Sequence, residues 1–240
     1  MSEKITLITG ASRGIGRAIA TEFAKAGYNL IMTCEKNKEM LDDLAKSLSD
    51  EYGVKCICHM IDISDPDMVN AVFDSIGQLD VLINNAGISY VGLLTDMTVD
   101  DWHRTMGVNL DSLFYTCKNA VPIMLRQGHG SIINISSVWG HRGASMEVAY
   151  STSKGGVDAF TKALAKELAP SGINVNAISC GLIDTDMNSH LSREEIDGVI
   201  EEIPADKIGT PSDVAKLVLS IAKVPSYVTG QIIGINGGWY

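Results

Sequence analysis

A chain of 240 residues with 45% hydrophobic content can bury a sizeable core, and its length suits one domain spanning 1–240. A formal net charge of -10 and an isoelectric point near 4.9 work against general affinity for nucleic acid or an anionic membrane. The five cysteines (Cys34, Cys56, Cys58, Cys117, Cys180) are odd in number and lack the paired spacing of a zinc site, so they read as reduced, mostly buried thiols, with no metal expected.

Met-Ser-Glu-Lys leads into an apolar run too short for a signal-peptide core or a membrane span, so a cytoplasmic location is expected. That run, ITLIT (5–9), feeds a glycine-bearing turn and a helical pattern over Ile15–Ala26. NLIMT (29–33), a helical stretch at 38–52, VKCICHM (54–60) and a shorter helical stretch at 69–75 follow. After VLIN (81–84) come a long helical pattern at 101–126, SIINIS (131–136), a second long one at 149–169, and NVNAIS (174–179). A helical stretch at 211–222 and QIIGI (231–235) close the series.

Continuous apolar runs are the mark of strands covered by helices on both faces, and their alternation with helical patterns is a βαβ rhythm. The fold class is α/β, a Rossmann-like doubly wound parallel sheet of about seven strands. Polar and acidic residues between 184 and 210 separate a strand from the next helix. Ligands bind beyond the carboxyl ends of such strands, so this stretch is expected to form a substrate lid.

The first strand runs into TGASRGIG (Thr9–Gly16). Its glycines permit a tight turn and close backbone approach, and the next helix offers unsatisfied N–H groups to a pyrophosphate. Opening a repeated βα pattern, the turn reads as a dinucleotide site. Tyr150 and Lys154 lie four apart, a spacing that stacks them on one helical face, with Ser137 thirteen residues upstream of the tyrosine.

The spacing Gly10, Gly14, Gly16 resembles the TGxxxGxG of the short-chain dehydrogenase/reductase family. The resemblance continues through NNAG (Asn84–Gly87), Asn109, Ser137, Tyr150-x-x-x-Lys154 and INGG (Ile235–Gly238), and so spans nearly the whole chain. It implies that Tyr150 is the general acid/base, that Lys154 lowers its pKa and binds the nicotinamide ribose, that Ser137 orients the carbonyl, and that Asn109 helps hold a water relay. It implies coenzyme contacts at Gly10, Ser12, Arg13, Gly14, Ile15 and Gly16, at Asn85, Ala86 and Gly87, at Tyr150 and Lys154, and at Gly181, Ile183 and Thr185. Asn84 is expected to tie strands together. Relatives usually have proline where Cys180 stands, which puts a thiol near the nicotinamide.

NAD-preferring relatives place an acid at the end of the second strand, whereas a 2′-phosphate demands positive charge. Cys34 falls there and Arg13 lies in the glycine loop, favouring NADPH over NADH, although Glu35 and Lys36 oppose one another next door. Asp62 resembles the family's acceptor for the adenine amino group and also suits a cap for the segment after it.

The whole pattern is closest to the 3-oxoacyl-[acyl-carrier-protein] reductases of fatty acid synthesis. Two features sit awkwardly with an acidic carrier protein as partner. The chain is itself acidic, and Ser131 and Ser171 stand where relatives often carry arginine. Trp139, His141, Arg142, Met146 and Glu147 also replace small and amide residues. A second resemblance is to reductases of a 5-aminopentanone group on a lysine of elongation factor P, through GLLTDMT (Gly92–Thr98), Trp102 and the GAS-x-EVAY stretch (Gly143–Tyr150). There Glu147 would face a cationic ketone, its plainer reading being an exposed carboxylate at a helix start. A non-catalytic dinucleotide-binding sensor would lack the tyrosine or the lysine, and both are present. The family resemblance also implies a homotetramer built through the two long helices and the C-terminus.

Overall fold

Seven parallel strands form one sheet in the order β3-β2-β1-β4-β5-β6-β7: β1 (Lys4–Ile8), β2 (Tyr28–Cys34), β3 (Cys56–Met60), β4 (Val81–Asn84), β5 (Gly130–Ser137), β6 (Ile173–Cys180) and β7 (Ile232–Ile235). The computed structural model describes residues 4–189 and 191–240. The opening residues 1–3 and His190 of the 184–210 stretch, both covered by the expectations above, lie outside the described residues. The helices are α1 (Gly14–Lys25), α2 (Lys38–Tyr52), α3 (Pro66–Phe73), α4 (Val99–Met106), α5 (Ser112–Gln127), α6 (Trp139–Arg142), α7 (Val148–Leu168), α8 (Arg193–Glu202) and α9 (Pro211–Ile221).

Both faces of the sheet are covered, which is why its strands read as unbroken apolar runs; every residue of β6 is buried. On one face Ile19 and Phe23 of α1, Leu41 and Leu44 of α2 and Val214 and Val218 of α9 pack together. On the other, Val69 and Val72 of α3, Ala120 and Met124 of α5 and Ala165 and Leu168 of α7 form a second core. Each large side chain of this kind contributes about 1.5–3 kcal/mol by leaving water.

The helix over 69–75 begins earlier than its apolar spacing predicts. Asp65 caps it by accepting from the N–H groups of Asp67 and Met68, and Pro66 takes the first helical position, where no N–H is needed. The stretch 101–126 is not one regular helix. Between α4 and α5 the backbone widens into a π turn at Gly107–Asp111, with Asn109 at its centre. Cys34, Cys117 and Cys180 are buried as expected, but Cys56 and Cys58 are only half-buried because β3 is an edge strand.

The strand order reverses direction between β1 and β4, so the loops after these two strands part and leave a crevice at their carboxyl ends. The 184–210 stretch rises beside it. Its roots are joined by a parallel bridge between Ile183 and Gly209, and its middle carries α8, whose N-terminus is closed by a capping box of Ser192 and Glu195. No helix among the described residues is long and apolar enough to cross a membrane.

Candidate active site

The crevice is a cleft of about 500 Å³. The glycine turn, the end of β2, the loop after β4, the end of β5, the start of α7 and the root of the 184–210 stretch enclose it. Every residue expected to touch the coenzyme lines it except Asp62, and so does Ser137; Asn109 does not.

The glycine turn is built to bring backbones together. Gly10 has φ +66°, and a Cβ there would lie 2.9 Å from the Cα of Ala86; a Cβ on Gly16 would run into the carbonyl oxygen of Gly10. Asn85 fastens the turn from the β4 side, its Nδ2 donating to the carbonyls of Thr9 (2.8 Å) and Gly10 (3.0 Å). Thr9 Oγ1 in return accepts from the N–H groups of Asn85 and Ala86. Helix α1 then starts at Gly14 with no side-chain cap from Arg13, and Gly14, Ile15 and Gly16 face the cleft. Uncapped first-turn amides beside a cleft of this size fit the pyrophosphate of a dinucleotide.

At the adenosine end, Cys34 is buried at the end of β2 and Glu35 lines the cleft. Arg13 also lines the cleft. Its side chain is 59% exposed and pairs with Asp186 at the foot of the 184–210 stretch, 3.3 Å away. Asp62 is engaged within the chain, Oδ1 accepting from the N–H and hydroxyl of Ser64 and Oδ2 from Arg104 Nη1 at 2.6 Å. Burial raises its pKa, and the hydrogen bonds from Ser64 and Arg104 outweigh that and leave it below the usual carboxylate range.

Ser137 ends β5, and Tyr150 and Lys154 rise from the first turns of α7 on the face that packs against β5 and β6. Lys154 is only 4% exposed and donates to the carbonyl of Ile135 at 2.8 Å. Burial lowers its pKa to about 8. The phenol departs from expectation. Burial pushes the Tyr150 pKa up, the nearby Cys180 and Glu147 add to the rise, and the hydrogen bond with Ser137 opposes it only in part. In the chain alone, desolvation of the phenolate wins over any help from the lysine.

Asn109 is fully buried in the π turn. Its side chain accepts from the N–H of Ile88 (2.9 Å) and donates to the Ile88 carbonyl (2.9 Å) and to Ser153 Oγ (3.0 Å). It thus ties the loop after β4 to α7. Asn84 joins β4 to β5 as expected, Nδ2 donating to Asn134 Oδ1 at 2.9 Å. The Cys180 thiol is buried in the cleft wall and its pKa is raised to about 12 by burial, so the residue standing in proline's place is a neutral group beside Tyr150 and Lys154.

Several side chains at the site carried little or no signal in the sequence. Glu147 is half-buried in the cleft wall, not the exposed carboxylate of its plainer reading, and Ser89 Oγ donates to it at 2.8 Å. It follows Met146, a non-glycine residue at φ +64° whose carbonyl accepts from the N–H of Gly92. Trp139 and Trp239 meet edge to face at 5.2 Å in the cleft wall, and Trp239 stacks on Tyr240 at 4.8 Å. Arg142 lies over the Tyr240 ring at 4.5 Å, and Trp239 Nε1 donates to Glu202, the last residue of α8. Buried Asp158 accepts from Ser136 Oγ at 2.6 Å beneath Lys154. Of these, Trp139, Arg142, Met146 and Glu147 stood out by residue type, whereas Ser89, Trp239, Tyr240, Glu202 and Asp158 did not.

Comparison with known proteins gives one consistent result. The short chain dehydrogenase family matches residues 4–196. The chain is 40% identical over 242 residues to the 3-oxoacyl-[acyl-carrier-protein] reductase FabG of Aquifex aeolicus (strain VF5), covering 99% of this chain and 97% of that protein. It is 38% identical over 239 residues to the uncharacterized oxidoreductase YmfI of Bacillus subtilis (strain 168), covering 99% of each. Among solved structures, YwfH, an NADPH dependent reductase involved in bacilysin biosynthesis, matches with a TM-score of 0.94 at 25% identity, covering 100% of this chain and 99% of that one. A parallel sheet with its crevice at the β1/β4 reversal, a glycine turn under an uncapped helix, and these relatives together identify the chain as a member of the short-chain dehydrogenase/reductase family, an NAD(P)-dependent oxidoreductase.

Proposed function

We propose that the chain reduces a ketone to a secondary alcohol with NADPH, acting as a single domain over residues 1–240, and that the ketone is a 3-oxoacyl group presented on acyl-carrier protein. The observation that carries the reaction is the meeting of Ser137, Tyr150 and Lys154 in the wall of the same cleft that the glycine turn lines. Bound NADPH supplies the hydride that adds to the carbonyl carbon. Ser137 donates a hydrogen bond to the carbonyl oxygen, and Tyr150 gives up its phenolic proton to that oxygen as charge builds there. A phenol with a raised pKa stays protonated at neutral pH, and a developing alkoxide is basic enough to take its proton. Lys154, mostly an ammonium at neutral pH with a pKa of about 8, holds the ribose hydroxyls beside the tyrosine. Asn109 fixes the β4 loop against α7 and so keeps the two walls in register.

Support for the carrier-bound substrate comes from the 40% identity to FabG over nearly all of both chains. NADPH is favoured by the neutral Cys34 at the end of β2, with no carboxylate at that position. Ser131 bears on docking only by its burial: it is the second residue of β5 and donates to Asn174 at 2.7 Å, at the end of the strand away from the cleft. A cytoplasmic homotetramer accompanies this reading, with exposed Phe114 and Leu125 on α5 as an apolar face for a second copy.

A second reading is favoured by one observation, the half-buried Glu147 in the cleft wall. A carboxylate there suits a ketone that carries an ammonium group, such as the 5-aminopentanone on a lysine of elongation factor P, better than a plain acyl chain. The deciding experiment compares NADPH oxidation with acetoacetyl-carrier protein and with ketone-modified elongation factor P. Higher kcat/KM on the thioester supports the first reading; a large preference for the modified factor replaces it with the second.

A further inference from the structure

The end of β2 presents a contradiction. Neutral Cys34 occupies the last strand position, yet Glu35 follows it and lines the cleft at the adenosine end. A free carboxylate there accepts hydrogen bonds from ribose hydroxyls and repels a 2′-phosphate. Glu35 is not free. Arg104, in the last turn of α4, reaches over from a different element, its Nη2 lying 2.9 Å from Glu35 Oε1 and its Nη1 2.6 Å from Asp62 Oδ2. Nη1 also donates to Ser64 Oγ at 2.8 Å, and Ser64 in turn holds the other oxygen of Asp62. The guanidinium therefore rests on a fixed base of Asp62 and Ser64 and extends its other terminal nitrogen to Glu35. Lys36 Nζ stands 3.7 Å from the same Glu35 oxygen. Two carboxylates and two cations cancel at the corner of the cleft where a third phosphate would arrive.

We propose that Arg104 is a specificity-determining residue for the coenzyme, acting through Glu35: it draws the carboxylate aside and neutralises it, turning an end built for a ribose diol into one that admits a 2′-phosphate. The inference rests on the NADPH reading above and assigns that preference to the α4 arginine, with Arg13 engaged elsewhere by Asp186. A planar fork with two fixed partners suits this task, whereas a lysine at the same position would reach one carboxylate at a time.

The test is equilibrium binding of NADPH and NADH to the intact chain, read by coenzyme fluorescence, with thermal unfolding as the check on folding. For the parent chain, tighter NADPH binding is expected. Arg104→Gln should weaken NADPH by about tenfold or more, the scale of one hydrogen bond to a charged group, and leave NADH within about threefold. Adding Glu35→Gln should restore NADPH to within about threefold of the parent, because the uncompensated carboxylate is gone. Equal weakening of both coenzymes by Arg104→Gln, or no rescue by the second substitution, overturns the inference while the NADPH preference of the parent stands. Should Arg104→Gln fail to fold, Glu35→Gln alone decides. Little change in NADPH affinity supports a carboxylate already neutralised, and a gain of about tenfold or more contradicts it. Tighter binding of NADH by the parent chain overturns the coenzyme reading itself, and with it the inference, before any substitution is made.

Discussion

Lys154 Nζ stands 5.6 Å from the centroid of the Tyr150 ring while its hydrogen bond to the Ile135 carbonyl holds it at 2.8 Å. One turn of α7 separates the two residues, so the helix sets their spacing and β5 supplies the anchor. Both groups are desolvated, and burial favours the neutral form of each, moving the lysine down and the phenol up.

A pH dependence follows from the lysine. With its pKa lowered to about 8, Lys154 is a charged donor below that pH and loses its proton as pH rises through it. Coenzyme affinity should therefore fall on the alkaline side of pH 8, and Lys154→Met should bind more weakly throughout with that step removed. Fluorescence titrations on both sides of pH 8 check this; an unchanged step in Lys154→Met assigns it to another group.

The glycine turn gives a prediction about stability. Gly10 and Gly53 both have positive φ, but a Cβ at Gly10 meets the backbone of Ala86 at 2.9 Å whereas one at Gly53 meets nothing within 4 Å. Gly53→Ala should cost about 1 kcal/mol, from the left-handed backbone alone. Gly10→Ala should cost about 1–3 kcal/mol more and abolish coenzyme binding, since backbone has to move where it is held by Asn85. Denaturant unfolding of the two variants measures the difference, and equal costs would show that the close approach to Ala86 is unimportant.

Glu147 separates the two substrate readings without any change to the proton donor. Glu147→Gln keeps the shape of a side chain that accepts from Ser89 and removes its charge. For an amino-ketone substrate KM should rise by about tenfold with kcat nearly unchanged, the loss expected for one charge-assisted contact, while a neutral 3-oxoacyl thioester should respond little. Steady-state kinetics on both substrates provide the comparison, and an equal response from both denies Glu147 a part in choosing between them.

What could be read in the sequence followed what is local. The apolar runs gave the strands because burial on both faces leaves no polar alternation, and the glycine turn, Tyr150 and Lys154 announced themselves by fixed spacing along one element. The π turn at Gly107–Asp111 left no periodic signal, because adding one residue to a turn shifts a helical pattern only slightly. Arg104 looked like any charged residue on a polar helix. Its meaning lies in Glu35 and Asp62, which the fold brings to it from the ends of two other strands. The same holds for Arg13, whose position in the glycine loop pointed to the ribose but whose partner in the fold, Asp186, comes from the root of the 184–210 stretch. The phenol's raised pKa was equally out of reach, since spacing reports the neighbouring charge and says nothing of burial.

The central claim is that Tyr150 gives its proton to the substrate oxygen. Replacing it by phenylalanine removes one hydroxyl and leaves the ring, the cleft and Lys154 in place. With NADPH and the preferred ketone, Tyr150→Phe should lower kcat/KM by about 100-fold to 10,000-fold, the span of general acid catalysis, while NADPH binds within about threefold of the parent. Turnover by Tyr150→Phe at the parent rate would contradict the account.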